Sequence, residues 1–153
     1  MTTQANEIRV GNYFTRELQS PRGLDYIKYF KIDELALKQI FGDSPYMALN
    51  DLFPIKITED LLLQCGFVKE DKSDYGWLTM NYFTDCMEAT EIMCIAYNIT
   101  SKRLAFYDTV DDETPEVVSY PIYTAKVVEH FHTLQNILFA MAGIELTINP
   151  ETN

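Results

Sequence analysis

Two rhythms of apolar positions run through this chain, and the clearer one lies in its last third. Val127, Phe131, Leu134, Leu138 and Met141 recur at alternating spacings of four and three, which places all five on one stripe of an α-helix. Val128, Gln135, Phe139 and Ala142 widen the stripe, while Glu129, His130, Thr133 and Asn136 supply a polar back. The pattern predicts a long helix with Thr124 as its N-cap and Gly143 closing its last turn in the left-handed conformation. Ile144 then stands where such a closure places an apolar residue, against Phe139. The alternation Ile144, Leu146, Ile148 predicts a short terminal strand before a polar tail from Asn149 to Asn153.

Upstream, the other rhythm has a period of two. Glu7 to Phe14 alternates until Gly11 and Asn12, where a strand is expected to bend. Leu18 to Gly23 forms a turn cluster, and Asp25 to Ile32 reads as a second strand with aromatics and lysines interleaved. Asp33 to Phe41 fits a short helix capped by Asp33 and stopped by Gly42, with continued strand as the alternative. After a loop from Gly42 to Pro54, Thr58 to Phe67 repeats the syntax of the long helix on a smaller scale. Thr58 is its N-cap, Glu59 and Asp60 meet the helix dipole, Gly66 stops it, and Phe67 can pack back on Leu62. So short a helix needs packing to hold it, which makes Leu61, Leu62 and Phe67 core candidates, expected to share one core with Phe131, Leu134 and Leu138.

From residue 75 the pattern is of strands. Tyr75 to Phe83, Glu91 to Ile99 and Lys102 to Asp108 are rich in aromatic and β-branched residues, and Thr100-Ser101 is short enough for a tight hairpin. Val117 to Tyr123 is a further strand that Pro121 confines to an edge. Strands and helices without regular alternation predict an α+β fold: a mainly antiparallel sheet with one long C-terminal helix and one or two short helices packed on it. A chain of 153 residues is most simply one domain, residues 1–153, large enough to bury a core without disulfides or metal.

Composition narrows the picture. With 47% hydrophobic residues the chain is not disordered, and no apolar run approaches the length of a membrane span. The opening Met-Thr-Thr-Gln-Ala-Asn-Glu has neither the basic start nor the apolar middle of a signal peptide, so a cytoplasmic location is expected. Cys65, Cys86 and Cys94 are too few and scattered for a disulfide framework and read as small buried hydrophobes. The net charge of −11 changes more. Residues 1–50 hold six acids and six bases, whereas residues 51–153 hold seventeen acids and six bases, so the whole deficit belongs to the second part. Such a surface repels nucleic-acid phosphates and disfavours direct nucleic-acid binding unless the first fifty residues do it alone.

Candidate chemistry is sparse. His130 and His132, the only histidines, sit two apart on the predicted helix and should point about 200° from each other, unable to share a metal. Asp108, Asp111, Asp112, Glu113 and Glu116 form the densest acidic stretch, but the alternating spacing and central glycine of a calcium-binding EF-hand loop are absent. No glycine-rich phosphate loop is present, and no cofactor or metal is expected. Ten tyrosines, nine phenylalanines and Trp77 mostly fill the core. Tyr26, Tyr29 and Phe30 beside Lys28 and Lys31, and Trp77 with Tyr75, could instead form a binding surface.

Asn6 to Tyr13, Pro54 to Phe67 and His132 to Leu146 together resemble a family of small proteins encoded by gut anaerobes and by the phages and prophages that infect them. That family's pattern opens on N-E-L-R-I-G-N, continues with P-I-x-L-T-E-E-x-L-L-x-x-G-F and closes on H-x-L-Q-N-L-Y-F-A-L-T-G-E-E-L. The matching segments cover about a quarter of the chain. Cys65 and the tyrosine-rich stretch between residues 24 and 53 depart from the pattern. The resemblance implies a lineage, a fold and a mobile-element setting, and supplies no catalytic residue. The expectation is a protein-binding accessory factor that is not an enzyme, offering the acidic stretch and Tyr26 and Tyr29 to a protein partner in the host cytoplasm. The rival is a small-ligand binder or hydrolase-like enzyme with a pocket between sheet and C-terminal helix, using His130 or the loop around Asp111.

Overall fold

The computed structural model describes residues 7–20, 23–42, 47–69, 77–86, 89–109, 122–123 and 127–149. The fold is α+β, and among the described residues every strand pairing is antiparallel. The described strands form two sheets rather than one, and the chain divides into two compact units: residues 1–57 with 129–147, and residues 58–128 with 148–153.

The first unit opens on a turn in which Gly11 takes φ +93°, and a Cβ there would lie 2.7 Å from a Glu145 carboxylate oxygen. This turn, and not a strand, occupies residues 7–12; the alternation of Glu7 to Phe14 yields a strand only from Tyr13 onward. Strands β1 (Tyr13–Ser20) and β2 (Gly23–Lys31) form a hairpin, and β3 (Leu52–Pro54) lies on the other side of β1, giving the order β2-β1-β3. Helix α1 (Glu34–Phe41) follows β2. The Asp33 side chain accepts the Ala36 N–H at 2.7 Å, so the capping residue decides for helix where the apolar pattern alone left strand open. Phe14, Ile32, Ala36, Ile40, Met47 and Leu52 pack as one buried cluster.

Helix α3 (Phe131–Ala142) completes this unit. It is shorter than its apolar stripe suggested. Residues 127–130 are not helical: Glu129 C=O accepts from Ile57 N–H, Ile55 C=O accepts from Phe131 N–H, and His130, with extended backbone, pairs with Lys56. His130 is therefore the N-cap in place of Thr124, without a side-chain cap bond, while Gly143 ends the helix at φ +67° as expected. Phe131, Leu134 and Leu138 are fully buried, whereas Val127 and Met141, the two ends of the stripe, are 54% and 51% exposed. Residues 144–148 keep the predicted alternation, with Ile144, Leu146 and Ile148 buried, but they join no strand ladder among the described residues.

The second unit begins with α2 (Glu59–Gln64), built as its sequence prescribes. Thr58 Oγ1 accepts the Leu61 N–H at 3.2 Å, Gly66 takes φ +92°, and Phe67 N–H donates to Leu62 C=O at 3.0 Å. Leu61, Leu62 and Phe67 are buried. A five-stranded sheet follows in the order β4-β5-β6-β7-β8, from β4 (Val68–Lys69), β5 (Trp77–Cys86), β6 (Ala89–Asn98), β7 (Arg103–Thr109) and β8 (Ile122–Tyr123). The β6–β7 hairpin turns through Lys102 at φ 55°, with Asn98 Oδ1 accepting from the Thr100 and Ser101 N–H groups at 3.1 and 2.7 Å. The Tyr97 hydroxyl, fully buried, donates to Val128 C=O at 2.6 Å. Cys65 is buried, and its thiol is pushed up to about 12 by that burial; Cys94 is only partly buried, and the Cys86 side chain lies outside the described ones.

Candidate interaction surface

The β1–β2 hairpin carries the aromatic and basic residues that the sequence singled out. Register shifts by one between Phe14, opposite Phe30, and Arg16, opposite Ile27, so that Lys28 and Tyr29 of β2 together face Thr15. This is a β-bulge, and the Thr15 hydroxyl fills it by donating to Lys28 C=O at 3.1 Å. Three cations of the hairpin rest on aromatic rings. Lys28 Nζ lies 4.9 Å from the centre of Tyr29, Lys31 Nζ 5.7 Å from Tyr13, and Arg16 Cζ 5.0 Å from Phe30. None of the ion pairs among the described residues includes any of the three. Lys28, Lys31, Asp25 and Ile27 are exposed and Tyr29 is half-buried.

The rest of the predicted surface is placed only in part. Asp108 lies in β7, its backbone opposite Met93. Its side chain and that of Tyr26 fall outside the described ones, as do Tyr75 and residues 110–121 entirely, with Asp111, Asp112, Glu113 and Glu116 among them. Trp77 opens β5 opposite Asn98 and is partly buried.

Two amides of α3, Gln135 on the apolar stripe and Asn136 on the polar back, are both engaged by protein groups. Gln135, fully buried, donates through Nε2 to Gly11 C=O at 3.0 Å and Leu146 C=O at 2.8 Å, and its Oε1 accepts the Tyr13 N–H at 3.0 Å. Asn136 Oδ1 accepts from Arg9 Nε at 3.0 Å and from Asn12 Nδ2 at 2.9 Å, while its Nδ2 donates to Glu7 C=O at 2.8 Å. Arg9 also pairs with Glu145 at 2.7 Å and stacks on Phe139 at 4.1 Å. The signal in the sequence was an amide, Gln135, standing on an otherwise apolar stripe: a buried amide must find partners, and here they are backbone groups of the opening turn and of the closing segment.

His132 belongs to this region. It is 2% exposed, stacks on Phe14 at 4.8 Å, and lies with its ring centre 5.9 Å from that of His130 in a stacked arrangement. The two histidines are thus neighbours, contrary to the helical projection, because His130 precedes the helix with extended backbone and a rotation of 100° per residue does not apply to it. Glu7 lies 3.8 Å from His132 Nε2, and His132 Nδ1 has no hydrogen-bond partner among the described residues. Burial lowers its pKa to about 4; the Glu7 carboxylate opposes that shift and His130 adds to it. Among the described residues no group of three or more His, Cys, Asp or Glu could hold a metal ion, and no helix is long and apolar enough to cross a membrane. No protein-family model, curated protein or solved structure matches this chain.

Proposed function

We infer that this chain is a non-enzymatic protein-binding accessory factor of phage or prophage type, working in the host cytoplasm by covering a basic surface of a host protein. The observation that carries this reading is the division of charge along the chain. Residues 51–153 hold seventeen acids against six bases, while Arg16, Lys28 and Lys31 of the β1–β2 hairpin lie on aromatic rings and form no ion pair among the described residues. Complementary charge steers two proteins together and rejects partners of the wrong sign. Aromatic side chains and arginine are enriched at protein interfaces, and the hairpin carries Tyr13, Tyr29, Phe30 and Arg16. The acidic stretch Asp108, Asp111, Asp112, Glu113 and Glu116 is the surface offered to the basic host protein, and Tyr26 and Tyr29 mark the second contact. The mobile-element setting rests on the segment resemblance.

The test is recovery of a host protein on immobilised chain, compared with the Asp111→Asn, Asp112→Asn, Glu113→Gln variant. Recovery should fall while the melting temperature stays nearly unchanged, since solvated charges contribute only about 0–1 kcal/mol each to folding. Equal recovery by the variant sinks the acidic contact. A metal-dependent hydrolytic activity lost in that variant would favour an enzyme whose site includes these acids.

A further inference from the structure

Among the described residues, the three-stranded sheet has no strand paired beyond β2. In the order β2-β1-β3, β2 is the outer strand, and over residues 24–31 its backbone pairs only with β1 among the described residues. A strand of nine residues presents an edge roughly 30 Å long. Its unpaired N–H and C=O groups are a template for another strand. Lysines and a bulge on such an edge ordinarily keep like strands away, and β2 has both. The same lysines discriminate by charge. Lys28 and Lys31 are exposed, sit on rings and pair with no carboxylate among the described residues, so each remains open to one brought from outside.

We propose that the outer edge of β2 receives an acidic, extended segment of the protein partner, which adds to the sheet as a fourth strand with its carboxylates against Lys28 and Lys31. The proposal rests on the protein-binding reading and names the chemistry of its second contact. Main-chain bonds supply affinity in such strand addition and side chains at alternate positions supply selection. The edge also sets a polarity. Asp25 is exposed toward the opposite end of β2, so the partner's acids belong to the half that faces Lys28 and Lys31, and a neutral or basic residue belongs opposite Asp25. A second copy's β2 is a poor occupant, because antiparallel pairing centred on the bulge would set Lys28 against Lys28. Nucleic acid offers phosphates but no ladder of N–H and C=O groups, and the acids of residues 51–153 repel it.

The test uses the whole chain and the labelled peptide Glu-Val-Glu-Thr-Val-Thr-Lys, followed by fluorescence anisotropy. Saturable binding is expected, weakened at least about tenfold by Glu→Gln changes in the peptide and by methylating the backbone nitrogens along one of its edges. The Lys28→Glu, Lys31→Glu variant should lose binding to the same extent, while Lys38→Glu on α1 should not. The peptide changes leave the chain untouched, so they decide the matter even if the lysine variant fails to fold. A methylated peptide that binds as tightly as its parent overturns strand addition, and so does an absence of saturable binding. A single-stranded oligonucleotide that binds more tightly and displaces the peptide overturns the acidic-segment assignment. None of these failures touches recovery of the host protein through Asp111, Asp112 and Glu113, so the two readings fall separately.

Discussion

At the scale of single residues, His132 has the sharpest consequence. Its imidazole takes a proton near pH 4 in the fold and near its ordinary 6.5 once unfolded. Above pH 6.5 it is neutral in both states and contributes no pH dependence. Between 6.5 and 4 the unfolded chain binds the proton preferentially, so stability falls with pH, by about 3 kcal/mol when the step is complete. Urea midpoints at pH 7 and pH 4.5 should therefore separate more for the native chain than for His132→Leu, which loses the titrating group but keeps the carboxylates. Equal separation would contradict the buried, neutral imidazole. Cys65 gives a second check. With its thiol near 12 almost no thiolate exists at neutral pH. In a variant keeping only this cysteine, a thiol reagent should label slowly until urea unfolds the chain. Gln135→Leu should cost about 2 to 4 kcal/mol, because Gly11 C=O, Leu146 C=O and Tyr13 N–H lose their partner together. That role was half legible: an amide on an apolar stripe announces a need for partners, but partners at positions 11, 13 and 146 are set by tertiary placement alone.

At the scale of elements, what was legible was whatever is decided within a turn or two of chain. α1 and α2 follow from Asp33 and Thr58 as caps and from Gly42 and Gly66 as stops, and the β6–β7 hairpin from a gap too short for anything else. The start of α3 was not legible, because Glu129 and His130 can continue the helical stripe and are instead engaged by backbone pairing with residues 55–57, far away in sequence. Residues 144–148 show the same limit from the other side: alternation reports which side chains are buried, not whether a neighbouring strand exists to pair with them. Leu134→Ala tests the α3 assignment. Leu134 is fully buried, and its truncation should cost about 2 to 5 kcal/mol in a denaturation experiment. Met141→Ala, on a side chain half exposed at the end of the same stripe, should cost well under that. Equal costs would mean the buried face has been wrongly drawn.

At the scale of the whole molecule, the sequence spoke plainly about class and about charge, and much less about the surface. α+β followed from the order of strand and helix signals, but two sheets in two units did not, since period-two segments carry no label for the sheet they join. Of the candidate surface, the hairpin is in place with Lys28, Tyr29 and Lys31 along an outer strand, whereas the acids from Asp111 to Glu116 lie outside the described residues. The central claim is that charge complementarity brings this chain to a protein partner, and it is tested most directly by the dissociation constant of the purified complex as a function of salt. Exposed charges are screened beyond about 10 Å at 0.1 M and beyond about 3 Å at 1 M. The account predicts that the dissociation constant rises by about tenfold or more between roughly 50 and 500 mM salt, with most of the change in the association rate. A dissociation constant that stays flat across that range would contradict it.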